Sequence, residues 1–177
     1  MNHDALAQRV FDACHLTGEF RLRSGQTSTE YFDKYLFETQ PELLRDVAAA
    51  MVELLPDCDL LAGMEMGGIP IATVMSQITG LPAVFVRKQA KSYGTCKAVE
   101  GRSVRGLRVV AVEDVVTTAG ALVGGCVELR QAGAGVDLAV CAIDREQGGR
   151  AALALEGIDL RSVLDRSVLD RSGLCRS

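Results

Sequence analysis

Short apolar runs alternate with helical segments along the second two-thirds of the chain, and this alternation limits the available folds more than any other feature. Each run is rich in β-branched residues and nearly continuous, as expected of a strand that is buried on both faces. The runs cover residues 59–62, 83–87, 107–112 and 137–143, and helices are predicted over 70–79 and 119–131. This order predicts an α/β fold in which a parallel, twisted sheet is flanked by helices.

The first part of the chain does not follow this alternation. Apolar residues at helical spacing predict a helix over residues 3–17, and Ser24-Gly25 predicts the turn of a small hairpin that ends near Tyr31-Phe32. A further helix is predicted over 41–55. A small N-terminal subdomain is therefore expected ahead of the sheet.

The end of the chain repeats the five-residue unit RSVLD, once at Arg161–Asp165 and once at Arg166–Asp170. Two copies are too few for a solenoid. Four apolar residues of this region fit one helical face, namely Leu160, Val163, Leu164 and Val168. This spacing predicts a terminal helix, with a repetitive C-terminal tail over 161–177.

Composition narrows the class of protein. The chain has 177 residues, of which 48% are hydrophobic and 24% charged, and this balance suits one globular domain. The net charge of −4 argues against a general nucleic-acid-binding protein, and no apolar run is long enough to cross a membrane. The six cysteines include no CxxC pair, so a reduced, cytoplasmic compartment is expected, with Cys126 and Cys141 in the core.

Two acids, Glu113 and Asp114, follow the third apolar run, at the kind of strand end where α/β sheets bind ligands. Two valines, two threonines and small residues come next. Because the first amides of the following helix are unpaired and carry partial positive charge, this turn can cradle a phosphate. Carboxylates beside a phosphate suit sugar hydroxyls or a Mg²⁺ ion. The acid pair alone would equally suit a helix cap, so the prediction depends on the whole pattern.

Several other kinds of site find no support. The patterns GxxxxGK[ST] and GxGxxG are absent, which argues against nucleotide hydrolysis and dinucleotide binding. No Cys–His or Ser–His–Asp arrangement is evident, so a covalent protein nucleophile is not expected.

The segment VVAVEDVVTTAGA resembles the ribose-phosphate motif of the phosphoribosyltransferases that use 5-phosphoribosyl 1-pyrophosphate (PRPP). Four other segments resemble this family in the same order: FRLRSGQTSTEYFDK, AGMEMGGIPIA, VFVRKQAKSYGTCKAVEG and AIDREQGG. The resemblance implies the type I phosphoribosyltransferase fold in a single domain over 1–177. It also implies an N-terminal helix and hood over 1–40 and a mobile catalytic loop over 88–106.

The resemblance implies a PRPP site that spans the turn and the mobile loop. Glu113 and Asp114 would bind the ribose hydroxyls, and the turn would bind the 5′-phosphate. The implied residues of the turn are Val115, Val116, Thr117, Thr118, Ala119, Gly120 and Ala121. Arg87, Lys88 and Lys91 would bind the pyrophosphate and stabilise its growing charge as it departs. These three cations and Asp114 are the implied catalytic residues, although a basic cluster taken alone is more often a solvated surface.

A second implied group binds the base, orotate. Arg145 and Arg23 would contact it, since a planar cation suits its carboxylate and carbonyl oxygens. Thr117 is the third implied contact. Tyr31 and Phe32 would cover the ring. Simpler interpretations stay open, because Arg145 could pair with a neighbouring acid and the aromatic pair could be ordinary core.

The chain departs from many relatives at four places. Ala119 stands where glycine is common, and Ala121 stands where a hydroxyl is common. Tyr93 replaces a histidine of some relatives, and Met66-Gly67 replaces Tyr-Lys. The loss of that lysine leaves more of the pyrophosphate charge to the basic cluster.

The resemblance implies transfer of the 5-phosphoribosyl group from PRPP to orotate, giving orotidine 5′-monophosphate and pyrophosphate in pyrimidine biosynthesis. It implies Mg²⁺, held mainly by PRPP with Asp114 as a candidate protein contact, and a homodimer with shared active sites. No nucleic-acid or membrane partner is expected. Two alternatives stay open: transfer to another base such as a purine, and a PRPP-sensing regulator without turnover.

Overall fold

The computed structural model describes residues 3–21, 25–89, 97–169 and 171. Within them the chain forms a two-stranded sheet and a six-stranded sheet. The larger sheet is parallel except at one edge and carries helices on both faces, so the predicted α/β fold is confirmed.

The N-terminal subdomain contains the predicted hairpin. Its elements are α1 (His3–Cys14), β1 (His15–Arg21), β2 (Thr27–Phe32), α2 (Tyr35–Glu38) and α3 (Pro41–Val52). Strands β1 and β2 pair antiparallel, with Leu16 opposite Tyr31. Helix α1 ends three residues earlier than predicted, because His15 already pairs with Phe32 in the hairpin.

The rest of the chain builds the large sheet. Its elements are β3 (Leu60–Met64), α4 (Gly68–Thr79), β4 (Ala83–Val86), β5 (Val99–Glu100), β6 (Arg108–Val116), α5 (Gly120–Gln131), β7 (Gly135–Asp144), α6 (Gly149–Leu155), β8 (Asp159–Asp165) and α7 (Arg166–Leu169). The strand order is β5-β4-β3-β6-β7-β8, and β5 alone of these strands pairs antiparallel to its neighbour. The carboxyl ends of β3, β4, β6 and β7 therefore meet at one edge of the sheet.

Two apolar clusters fill the space between the sheet and its helices. One packs α1, α3 and α4 against a face that includes Val110 and Val112. The other packs α5 and α6 against the opposite face, which includes Val109 and Ala111. Cys126 and Cys141 are both fully buried in the second cluster, as predicted. Because side chains alternate along a strand, neighbouring residues of β6 serve different layers of the fold.

Two predictions about element bounds are wrong. The third apolar run extends to Val116, since residues beyond 112 keep pairing with β7, and Glu113 lies opposite Cys141. The first part of the predicted terminal helix is instead β8, which pairs parallel to β7 over the first RSVLD unit, and the second unit begins with the short helix α7. Leu160, Val163 and Leu164 are buried there on both sides of a strand, so their spacing only imitates a helical face.

None of the helices in the described part of the chain is both long enough and apolar enough to span a membrane.

Candidate active site

The turn between β6 and α5 encloses the predicted phosphate cradle. It forms a cavity of about 190 Å³ that is lined by Glu113 and by residues 115–122. Thr117, Thr118 and Gly120 are exposed at its surface. The structure thus brings Glu113 together with the whole predicted turn, from Val115 to Ala121.

Helix α5 begins at Gly120, and no side chain caps its N-terminus. Its first amides are therefore open to a ligand at the end with positive partial charge. Ala119 precedes the helix with a φ of 61°, in the left-handed region. That conformation costs a residue with a Cβ about 1–2 kcal/mol. Glycine would adopt this conformation without that cost, so the departure at Ala119 makes the turn slightly less favourable.

A smaller cleft adjoins the cradle at the ends of β3 and β4. Its lining includes Glu65, Arg87, Lys88, Glu113 and Ala121. The Lys88 backbone N–H donates to Glu65 Oε2 at 2.9 Å, and within the described residues the buried Arg87 Nε has no hydrogen-bond partner. The structure therefore brings two of the three predicted pyrophosphate cations beside Glu113. The third, Lys91, lies outside the described residues.

The predicted base-binding residues meet above the end of β7. The Arg145 guanidinium lies 5.9 Å from the centre of the Phe32 ring. The backbone N–H of Arg145 donates to the backbone carbonyl oxygen of Val116 at 2.8 Å. The acid that precedes Arg145 in the sequence, Asp144, pairs with Arg150 at 3.2 Å. Tyr31 is 45% exposed, which is against its being ordinary core, whereas Phe32 packs against the first apolar cluster. Arg23 lies outside the described residues.

Asp114 occupies a different environment from Glu113. As the next residue of β6 it leaves the strand on the opposite face and is completely buried, although its carboxyl group still interacts with that of Glu113. Asp114 Oδ2 lies 2.6 Å from Lys34 Nζ, and Oδ1 accepts a hydrogen bond from the Val115 N–H at 2.6 Å. Glu113 borders the cavity of the turn, whereas Asp114 does not. Contact between Asp114 and the ribose stays a prediction that requires this environment to open.

The loop between β3 and α4 closes over Asp114. A Cβ atom at Gly67 would lie 1.9 Å from Asp114 Oδ2 and 2.8 Å from Glu38 Oε1. The two carboxyl groups thus occupy the space that a side chain at this position would need. A lysine at Gly67 would not fit in this conformation without moving Asp114.

Glu38, Glu113 and Asp114 lie close enough to one another and to Lys34 to shift each other's pKa. Burial, followed by hydrogen bonding with Asp114, raises the pKa of Glu38 to about 8. Burial and Asp114 also raise the pKa of Glu113. Burial alone would raise the pKa of Asp114 as well, but hydrogen bonds with Glu113 and Lys34 outweigh it, and its pKa lies below the usual value. At neutral pH the negative charge of this group therefore resides on Asp114, next to Lys34.

The sequence interpretation missed Lys34 and Glu38. The two residues stand four apart, at the start and the end of α2, which is the spacing of neighbours on one helical face. That spacing was a usable signal for a pair of charges, but the short helix was not predicted. Their meeting with Asp114 depends on a contact across 76 to 80 residues of sequence, which no local pattern encodes.

Replacing Glu38 by glutamine should flatten the pH dependence of stability. An ordinary glutamate titrates near 4.5, whereas the pKa of Glu38 in the folded chain is about 8. The folded state then holds a proton that the unfolded chain releases, so the free energy of unfolding falls as the pH rises through this window. Urea unfolding of the wild type and of Glu38→Gln, measured across this window without PRPP or Mg²⁺, checks the difference between them.

Glu42→Gln is the matched control, since Glu42 is exposed on α3. This variant should keep the pH slope of the wild type. Parallel curves for Glu38→Gln and the wild type would show that Glu38 does not retain a proton on folding.

The fold and the site define a class of phosphate-binding α/β proteins: an uncapped helix N-terminus follows an acid-bearing strand, and cations flank it at the next strand ends. A family model for the phosphoribosyl transferase domain matches residues 37–156, and the chain belongs to this family.

Individual relatives cover nearly the whole chain. An orotate phosphoribosyltransferase of Nocardioides sp. is 56% identical over 168 residues, which make up 94% of each protein. Among solved structures, the orotate phosphoribosyltransferase of Mycobacterium tuberculosis in complex with Fe(III) dicitrate is similar with a TM-score of 0.87 and 29% identity, covering 96% of this chain and 99% of that one. The same enzyme in complex with PRPP is similar with a TM-score of 0.81 and 27% identity, over the same shares of the two chains.

Proposed function

We propose that this chain transfers the 5-phosphoribosyl group from PRPP to orotate, giving orotidine 5′-monophosphate and pyrophosphate in pyrimidine biosynthesis. One observation carries the proposal: the Nocardioides relative, named orotate phosphoribosyltransferase, is 56% identical over 94% of both proteins. The geometry supports it independently, because the β6–α5 turn offers open amides beside an acid.

The 5′-phosphate is proposed to dock in the turn, against the first amides of α5. Backbone donors at a helix N-terminus bind a phosphate without needing a nearby cation. Glu113 lines the same cavity and is placed to accept hydrogen bonds from ribose hydroxyls. The pyrophosphate would extend toward Arg87 and Lys88, which lie in the adjoining cleft with Glu113.

Orotate is proposed to lie between Arg145 and the hairpin. The guanidinium faces the Phe32 ring, so a flat, anionic base could contact the cation through its carboxylate and the ring through its face. Tyr31 lies next to Phe32 and stacks on Phe20 with 5.4 Å between ring centres. Thr117 is exposed at the edge of the cradle and would reach the base from the sugar side.

The reaction then follows from charge. As the bond between C1 and the pyrophosphate oxygen loosens, positive charge grows on the sugar and negative charge on the leaving group. The interaction of Arg87 and Lys88 with the leaving group strengthens as this charge grows, so the two cations stabilise the transition state more than they stabilise bound PRPP. The ring nitrogen of orotate attacks C1 from the opposite face, and no protein nucleophile takes part.

Mg²⁺ is proposed as the ion that accompanies PRPP. Among the described residues, no cluster of three or more His, Cys, Asp or Glu side chains could hold a metal by itself. The available donors suit an ion that keeps several waters and is held mainly by substrate phosphates, as Mg²⁺ is. Glu113 borders the cavity, whereas Asp114 could reach such an ion only by leaving Lys34. When bound, the ion would neutralise charge on the pyrophosphate.

We also propose a homodimer with shared active sites in the cytoplasm. The family resemblance of the catalytic-loop segment supports the shared sites. Cys14, Cys126 and Cys141 are buried free thiols, which suits a reducing compartment.

A panel of bases tests the proposed function. With PRPP and Mg²⁺, orotate should release pyrophosphate at least about 100-fold faster than adenine, hypoxanthine or uracil, because a site with an unpaired planar cation discriminates against bases that lack the carboxylate. Faster consumption of a purine would assign the chain to another base. Binding of PRPP without turnover of any base would favour a regulator instead.

A further inference from the structure

Lys34 is the cation that compensates the most deeply buried acid near the proposed PRPP site. Its Nζ lies 2.6 Å from Oδ2 of Asp114, whose side chain is completely buried. No other ion pair of Asp114 occurs within the described residues. An unpaired buried carboxylate is strongly unfavourable, so this ion pair, together with the hydrogen bond from the Val115 N–H, stabilises the Asp114 charge where it lies.

The lysine is itself held in place from two sides. It stands between β2 and α2, and its ammonium lies 5.3 Å from the centre of the Tyr35 ring. Its side chain is 34% exposed, so the stem is packed while the charged end turns inward. The N-terminal subdomain therefore reaches into the large sheet at the strand that carries both predicted ribose acids.

The remaining sides of the Asp114 carboxyl group are enclosed as well. Glu38 is 8% exposed, and its Oε1 and Asp114 Oδ2 both lie within 3 Å of the position that a Cβ atom at Gly67 would take. The backbone of Gly67 lies so close that even a Cβ would overlap the carboxylate. Lys34, Glu38 and Gly67 thus fix Asp114 in one orientation, and Lys34 alone among them carries a positive charge.

We propose that Lys34 is a positioning residue for PRPP, acting through Asp114. By pairing with this carboxylate it fixes Asp114, whose backbone N–H donates to Glu113 Oε1 at 3.0 Å, and it offsets one negative charge close to a polyanionic substrate. The inference rests on the proposed PRPP site but adds a residue that contacts neither the cradle nor the proposed pyrophosphate cleft. Because the ribose contact is made both before and during the reaction, loss of Lys34 weakens PRPP binding without slowing the chemical step.

The test is steady-state kinetics of Lys34→Met with Lys34→Arg beside it. Lys34→Met should raise KM for PRPP by about tenfold or more, which corresponds to about 1.4 kcal/mol, and should leave kcat and KM for orotate within about twofold. Lys34→Arg should restore most of the loss, since it keeps the charge. The control is Arg45→Met, which removes an exposed cation on α3 and should keep the kinetics of the wild type.

A double-mutant cycle separates a role through Asp114 from a general effect on folding. In the Asp114→Asn background, Lys34→Met should add little further loss of PRPP affinity, because the partner charge is already gone. An equal loss in both backgrounds would overturn the proposal, as would a folded Lys34→Met variant with a wild-type KM for PRPP. If Lys34→Met does not fold, Lys34→Gln carries the same comparison with a polar side chain of similar reach.

Calorimetric titration of PRPP keeps this test independent of turnover. A wild type that binds PRPP but does not consume orotate would contradict the proposed function while leaving the Lys34 comparison intact. A Lys34→Met variant that binds PRPP as tightly as the wild type would contradict the positioning role while leaving the proposed function intact.

Discussion

Gly68→Ala should destabilise the protein by more than about 3 kcal/mol, because the change forces overlap between two backbone segments. Gly68 is the first residue of α4, and a Cβ there would lie 2.2 Å from the carbonyl oxygen of Val112 and 3.1 Å from its carbonyl carbon. Neither atom can turn away as a flexible side chain could, since Val112 pairs with β3 and β7 in the middle of the sheet. Helix α4 would have to move off β6, which would disturb the apolar cluster beneath it. Urea unfolding followed by circular dichroism measures the loss.

Gly124→Ala is the matched control for this change. Gly124 lies within α5, and a Cβ there meets nothing within 4 Å. Alanine is favoured over glycine inside a helix by about 0.5–1 kcal/mol, so this variant should be slightly more stable than the wild type. Equal stability of the two alanine variants would show that α4 and β6 are not in the close contact described here.

Gly120→Asp should abolish PRPP binding while preserving the fold. Gly120 lines the cradle, and a Cβ there has open space within 4 Å. An aspartate at the first helical position is favourable to the helix dipole by about 0.3–1 kcal/mol, so stability should not fall. The new carboxylate would stand where the 5′-phosphate is proposed to dock, and repulsion at about 4 Å is on the order of 4 kcal/mol at an effective dielectric near 20. We expect the Kd for PRPP to rise at least about 100-fold in a calorimetric titration.

Gly124→Asp controls for the added charge. It places the same side chain one turn further along α5, where the glycine is exposed and borders neither the cradle nor the adjoining cleft. Its PRPP affinity should stay within about threefold of the wild type, because the added charge lies further from the phosphate and in water. A Gly120→Asp protein that binds PRPP normally would place the phosphate elsewhere.

The large sheet could be predicted because most of its strands are marked by short apolar runs in the local sequence. The runs at 59–62, 83–87, 107–112 and 137–143 are apolar enough to require burial on both faces, and each has a counterpart in the structure. The bounds of β6 could not be predicted, because Glu113 and Asp114 break the apolar run although their backbone continues to pair with β7. Strand β8 was missed for the opposite reason: hydrogen bonds to a distant strand decide its conformation, and its apolar spacing also fits a helix.

The site could be predicted in part. The turn from Val115 to Ala121 is contiguous in sequence, so its composition alone indicated a cradle. Strand alternation places the Cβ atoms of Glu113 and Asp114 on opposite faces of β6, and a strand predicted to end at Val112 does not include these two residues. The ion pair between Lys34 and Asp114 joins residues 80 positions apart, and such a contact is set by packing of the hairpin subdomain on the sheet.

A crystal structure of the chain with PRPP and Mg²⁺ would show whether a sugar phosphate occupies the β6–α5 turn. The account predicts the 5′-phosphorus against the amides at the start of α5, with the ribose hydroxyls next to Glu113 and the diphosphate toward Arg87 and Lys88. PRPP bound elsewhere, with no phosphate density in the turn, would contradict it.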